Sequence, residues 1–153
     1  LFNYARGNYD DARTMMLDSN SIVGISDGGA HCGMICDASA PTYLLQHFVR
    51  DRNRGPRIGL ERAVKLQTFD TAALYGLSDR GLIKEGMRAD LNLVDFERLE
   101  LLVPEMVCDL PASGKRLIQR ADGYEATFVG GKMTFQNGKA TGILPGKLIR
   151  GVS

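Results

Sequence analysis

Apolar positions along the chain change period partway through, and the change separates a helical half from a strand half. From Asn8 onward, Ala12, Met15 and Met16 fall at helical spacing, with Asn8 placed to cap and Asp11 three positions later to reach back. Asp18-Ser19-Asn20-Ser21 ends that helix. Ile22-Val23-Gly24-Ile25 is an apolar run without alternation, which predicts a short strand covered on both faces, as in parallel sheets. It runs straight into Ser26-Asp27-Gly28-Gly29. A second helix is predicted from near Ser39, with Pro41 in its first turn, where a missing N–H costs nothing. Its buried stripe is Leu44, Leu45, Phe48 and Val49, and its outer face carries Arg50, Asp51, Arg52 and Arg54. Beyond Gly55-Pro56, Leu60, Ala63 and Val64 repeat the helical spacing. Thr68 is placed to cap a further short helix through Ala72, Ala73 and Leu74. Gly76 followed by apolar Leu77 is a helix stop.

From Leu82 the period becomes that of strands, which puts a boundary near Leu77 to Gly81 and divides the chain into residues 1–80 and 81–153. Residues 89–96 read as a strand entered from the Lys84-Glu85-Gly86 turn. Gly130-Gly131 and Asn137-Gly138 are two-residue turns that permit positive φ at both positions. Pairing across the first sets Phe128 opposite Met133, Ala126 opposite Phe135, Thr127 opposite Thr134 and Glu125 opposite Gln136. Pairing across the second puts Ala140 opposite the same Phe135. The expectation is a three-stranded meander with one apolar face and one polar face.

Composition narrows the possibilities. The chain has 153 residues, of which 44% are hydrophobic and 24% charged, the balance of an ordinary globular protein. A net charge of +1 provides no general field for nucleic acid or an anionic membrane. The longest stretch without Asp, Glu, Lys or Arg, residues 38–49, is too short to span a bilayer. Three cysteines, Cys32, Cys36 and Cys108, make an odd number that disfavours a disulfide framework, so buried free thiols and a cytoplasmic location are expected. Residue 1 is Leu and begins no signal peptide, and the expectation is a chain cut from something longer. A complete (β/α)₈ barrel needs about 250 residues, more than are present. His31 and His47 are the only histidines, which excludes a self-contained multi-histidine metal centre.

Titratable groups, metal-ligand types and flexible backbone converge in the segment Ser26-Asp27-Gly28-Gly29-Ala30-His31-Cys32-Gly33. One reading is a turn in which Asp27 accepts backbone hydrogen bonds and the glycines supply positive φ. The other makes Asp27 a metal ligand or general base. A carboxylate just beyond the end of a buried parallel strand stands where α/β folds keep their active sites. His31, Cys32 and Cys36 lack the second ligand pair of a structural zinc site. His47 lies one helical turn before Asp51 and reads as a packing residue. No Gly-Lys-Ser/Thr follows the glycines, which argues against a phosphate loop.

Residues 26–31, then Thr68-Phe69-Asp70-Thr71-Ala72-Ala73-Leu74-Tyr75-Gly76-Leu77, then the run from Arg80 to Asp95, resemble in order the C-terminal third of the amidohydrolase superfamily. The D-aminoacylase or N-acyl-D-amino-acid deacylase branch is the nearest. The similarity continues through Val129-Gly130-Gly131 and residues 142–147. The fold this resemblance implies is α/β with a β-sandwich: the last βα units of a (β/α)₈ barrel in residues 1–80, and part of a small flanking sandwich in residues 81–153. It implies a zinc-type hydrolase of amide bonds, acting on a small N-acyl amino acid through a metal-activated water. Asp27 would touch the metal and move the proton as general base and acid. His31, Ser26, Gly28 and Gly29 would orient Asp27 or the substrate. The remaining metal ligands would come from an N-terminal barrel segment of the same polypeptide, so this stretch alone would be inactive. An uncovered edge at residues 22–25 would invite homo-oligomer formation. Pro41-Thr42-Tyr43 lacks the basic residue that relatives use for a substrate carboxylate. Two alternatives stay open, a non-catalytic β-rich interaction module in which Asp27 shapes a turn, and a cyclic-amide hydrolase resembling dihydroorotase or hydantoinase.

Overall fold

The computed structural model describes residues 8–24 and 26–150. Helix α1 covers Asp10–Leu17; its N-cap position is Tyr9, without a side-chain cap bond, and the predicted cap residue Asn8 sits one position too early, accepting the Asp10 N–H through Oδ1 at 3.0 Å. Helix α2, Ala40–Tyr43, continues as a π-helical segment over Leu44–Asp51. Helices α3, Leu60–Gln67, and α4, Phe69–Leu74, follow. Gly76, at φ +68°, ends α4 as expected: its N–H bonds to the Ala73 carbonyl and that of Leu77 to the Ala72 carbonyl, the paired bonds of a Schellman stop.

The helices share a core of Leu44, Phe48, Ile58 and Ala63, against which Tyr9, Ala12, Met16, Val23, Leu45 and Val49 pack. The predicted stripe of the second helix is therefore the buried one. Two details differ. On α3 the buried positions are Ala63 and Leu66, while Leu60 and Val64 are exposed. Arg52, expected on the outer face, is buried. Its N–H bonds to the His47 carbonyl five residues back, and this wider turn carries residue 52 beneath the Phe48 ring, with the guanidinium 5.6 Å from the ring centroid. There it pairs with the Asp10 carboxylate.

The strand half is antiparallel throughout. Strands β1 (Leu91–Val94), β6 (Tyr124–Val129), β7 (Lys132–Gln136) and β8 (Lys139–Ala140) form one sheet in the order β1-β6-β7-β8. Strands β2 (Glu100–Leu101) and β5 (Ala121–Asp122) make a short pair, as do β3 (Glu105–Leu110) and β4 (Gly114–Ile118). Asp90 fastens the tip of the β6–β7 hairpin. Its carboxylate accepts the Gly130 N–H at 2.7 Å and pairs with Arg80 and Arg88.

The hairpin register is only partly the expected one. Phe128 faces Met133 and Phe135 faces Ala140, but Thr127 faces Phe135 and Ala126 faces Gln136. A bulge at Thr134 causes the shift. Its hydroxyl donates to the Thr127 carbonyl at 3.2 Å, where a straight ladder would use a main-chain donor. Phe135 is consequently exposed, and the single apolar face is not realised.

The apolar run at 22–24 is not a strand, and Ile25 lies outside the described residues. A strand exists only by pairing, and among the described residues no neighbour pairs with this segment. Val23 packs against the helical core, while Ile22 and Gly24 are exposed. Helices and sheet are joined by direct bonds: the Thr42 and Tyr124 hydroxyls lie 2.8 Å apart, Gln46 Oε1 accepts the Leu101 N–H, and Arg50 donates to the Phe96 carbonyl.

Candidate active site

The loop that carries Asp27 is held at both ends by different elements. Before it, the Val23 carbonyl accepts the Thr71 hydroxyl of α4 at 3.0 Å. After it, the Cys32 carbonyl accepts the Leu117 N–H of β4 at 2.6 Å. Between these anchors, the Ala30 N–H bonds to the Asp27 main-chain carbonyl at 2.9 Å, closing a tight turn over Gly28 and Gly29. Gly29 has φ +91°, a conformation that glycine adopts without steric cost. Gly28 is needed for space, because a Cβ there would lie 3.1 Å from the Ala38 nitrogen. The Ser26 hydroxyl accepts the Gly28 N–H at 3.4 Å.

The turn is thus built by main chain, Ser26 and the two glycines. The Asp27 side chain is exposed, and among the described residues no hydrogen bond or ion pair engages its carboxylate. Seven of the eighteen Asp and Glu residues are in ion pairs among the described residues, and Asp27 is not one of them. Asp10, Asp51, Asp70, Asp79, Asp90, Asp109 and Glu105 are all paired with arginine or lysine.

His31 is exposed in the same loop at φ 42°, and its carbonyl accepts the N–H groups of Met34 and Ile35. Cys32 and Cys36 are half-buried and Cys108 is exposed, so none of the three thiols is the buried one expected. Cys32 Sγ lies 3.9 Å from the Lys115 carbonyl. Among the described residues no three His, Cys, Asp or Glu side chains converge on a point that could hold a metal ion. His47 is the packing residue it reads as. It stacks on Tyr43 at 5.0 Å and meets Tyr9 and Phe48 edge-on, and its Nε2 is buried without a partner. Burial, and secondarily the charge of Arg52, lowers its pKa below the ordinary 6.5.

A cleft of about 760 Å³ opens elsewhere, over the sheet, between Leu102, Arg120, Tyr124, Phe135 and Lys139. None of residues 26–33 lines it. Sequence reasoning missed both loop anchors. Thr71 could not be singled out, since its partner Val23 lies 48 residues away, and the Leu117 bond is made by main chain.

The chain belongs to the amidohydrolase family, whose model matches residues 3–135. It is 32% identical over 108 residues to the N-acyl-D-aspartate deacylase of Alcaligenes xylosoxydans xylosoxydans, covering 71% of this chain and 19% of that protein. It is 33% identical over 106 residues to the D-aminoacylase of the same organism, covering 69% and 19%. A 5-methylthioadenosine/S-adenosylhomocysteine deaminase of Pelotomaculum thermopropionicum is 30% identical over 127 residues, covering 80% and 28%. The matches therefore span about a fifth to a quarter of the relatives' lengths. No solved structure matches significantly. Among the described residues no helix is long and apolar enough to cross a membrane.

Proposed function

We propose that this chain is the part of a C–N hydrolase that supplies the proton-transferring carboxylate, Asp27, and that the reaction is deacylation of an N-acyl-D-amino acid. The observation that supports it is the Asp27 side chain itself, exposed and left out of the hydrogen bonds that build its own turn. A carboxylate spent on turn formation would not be available to accept a proton; this one is. In the reaction, water adds to the amide carbonyl as Asp27 accepts a proton from it. The C–N bond then breaks as Asp27 returns the proton to the leaving nitrogen, giving a carboxylate and a free amine. Such general acid–base transfer contributes about 10²- to 10⁴-fold in rate. Ser26, Gly28 and Gly29 shape the turn that aims the carboxylate, and His31, on the far side of the turn, orients Asp27 or the substrate.

Zinc is the ion that family membership brings to mind. Asp27 is one oxygen donor, whereas a catalytic zinc takes about three protein ligands, and the described residues bring no such set together. They do not by themselves fit the ion. Residues 8–150 alone bind zinc weakly and, lacking its remaining ligands, turn over no substrate.

Hydrolysis of N-acetyl-D-aspartate and N-acetyl-D-leucine, against their L-enantiomers, by the protein as made from its native gene tests the proposal. Release of acetate from a D-substrate, lost in Asp27→Asn, supports it. A second reading, hydrolytic deamination, rests on the deaminase relative, whose match covers more of this chain than those of the two deacylases. Release of ammonia from an adenine nucleoside, with no acetate from any N-acetyl amino acid, would favour it.

A further inference from the structure

We infer that Thr71 is a positioning residue for Asp27, acting through the main chain of the segment that leads into the turn. The inference rests on the proposed role of Asp27. Thr71 sits on α4, far along the chain, and its Oγ1 lies 3.0 Å from the Val23 carbonyl and 2.9 Å from the Leu66 carbonyl. One hydroxyl proton thus ties the last turn of α3, the body of α4 and the segment before Asp27 into a single junction.

The junction is buried enough to matter, since Leu66 is fully buried and Ala72, the residue after Thr71, is buried as well. Segment 21–24 has no strand ladder to hold it. Its own main-chain groups give it little fixation: the Ser21 N–H reaches back to Asp18, within the same connection. The Thr71 bond adds a directional main-chain tie to the packing of the Val23 side chain on the helical core, four residues before the carboxylate. The opposite end of the loop is pinned by the bond from Leu117 to Cys32. A loop held at both ends presents its side chain in one place, and loosening one end lets the carboxylate swing away from the attacking water. Misplacement by about 1 Å can cost as much as about 100-fold in rate.

The test compares Thr71→Val, Thr71→Ala and Thr71→Ser with wild type and with Asp27→Asn, each in the protein as made from its native gene, on whichever of N-acetyl-D-aspartate and N-acetyl-D-leucine the wild type hydrolyses faster. Thr71→Val keeps the shape and removes the hydroxyl. It is expected to lower kcat about tenfold while leaving KM within about twofold, because the substrate's binding contacts are untouched. Thr71→Ser restores the hydroxyl and is expected to recover kcat to within about twofold of wild type. Should Thr71→Val not fold, Thr71→Ala against Thr71→Ser carries the same comparison. Thr71→Ser no better than Thr71→Ala, or a wild-type kcat without the hydroxyl, overturns the inference. Failure of the underlying reading is separately visible: Asp27→Asn would then turn over like wild type, whatever the Thr71 variants do.

Discussion

Removing the Asp10 carboxylate should destabilise the helical half through a cation that has nowhere else to go. The Arg52 side chain is 2% exposed, its Nε is buried without a partner, and among the described residues Asp10 is its one carboxylate partner. Breaking a buried ion pair from one side costs about 3–5 kcal/mol, because the remaining charge stays desolvated. Asp10 is 47% exposed, so water can partly replace it, and about 2 kcal/mol is the expected loss for Asp10→Ala. For a domain of this size that lowers Tm by about 4–8 °C. Arg52→Met removes the charge together with its desolvation cost while keeping bulk beneath Phe48, and should cost less than Asp10→Ala. In Arg52→Met the further change Asp10→Ala should then cost only about 0.5 kcal/mol, the loss of an acidic residue from the first turn of α1. Thermal or urea unfolding of the four proteins gives the cycle. A Tm for Asp10→Ala within about 1 °C of wild type, or the same cost for it in both backgrounds, would refute the reasoning.

Two further outcomes are expected. Gly123→Ala places a Cβ 2.6 Å from the Leu99 Cα, at φ +92°, against a residue with no exposed surface, and should leave the sheet half unfolded or insoluble; a soluble variant melting within a few degrees of wild type would contradict this. His47, whose folded pKa is lowered chiefly by burial, is protonated more readily in the unfolded chain, so stability is fully present above pH 6.5 and falls as pH drops below it, towards the lower folded value. His47→Gln should flatten the difference in urea-unfolding free energy between pH 7.5 and 5.5, and an unchanged difference would show that other groups set it.

What the residues revealed in advance was local. The shared buried face of Leu44 and Phe48, the Gly76 stop and the two glycine turns of the meander all depend on near neighbours, and all are present. What stayed hidden depends on partners distant in sequence or on small departures from regular geometry. Ile22 and Val23 have a strand's composition, but among the described residues no strand lies beside them to pair with. Arg52 reads as a surface residue at α-helical spacing, and only the five-residue turn brings it inside. A single bulge at Thr134 turns Phe135 from the apolar face to solvent. The turn over Gly28 and Gly29 was legible from its glycines. Its anchoring by Thr71 and Leu117 was not, since each lies more than forty residues away in sequence.

The measurement that bears most directly on the central claim is the turnover of Asp27→Asn, with its folding checked by the same melting curve as wild type. Asp27 is exposed and contributes no side-chain bond to its turn, so the substitution should leave Tm within about 2 °C. Turnover of the N-acetyl-D-amino acid should fall by at least about 100-fold. A folded Asp27→Asn protein that hydrolyses its substrate within a few-fold of the wild-type rate would contradict the account.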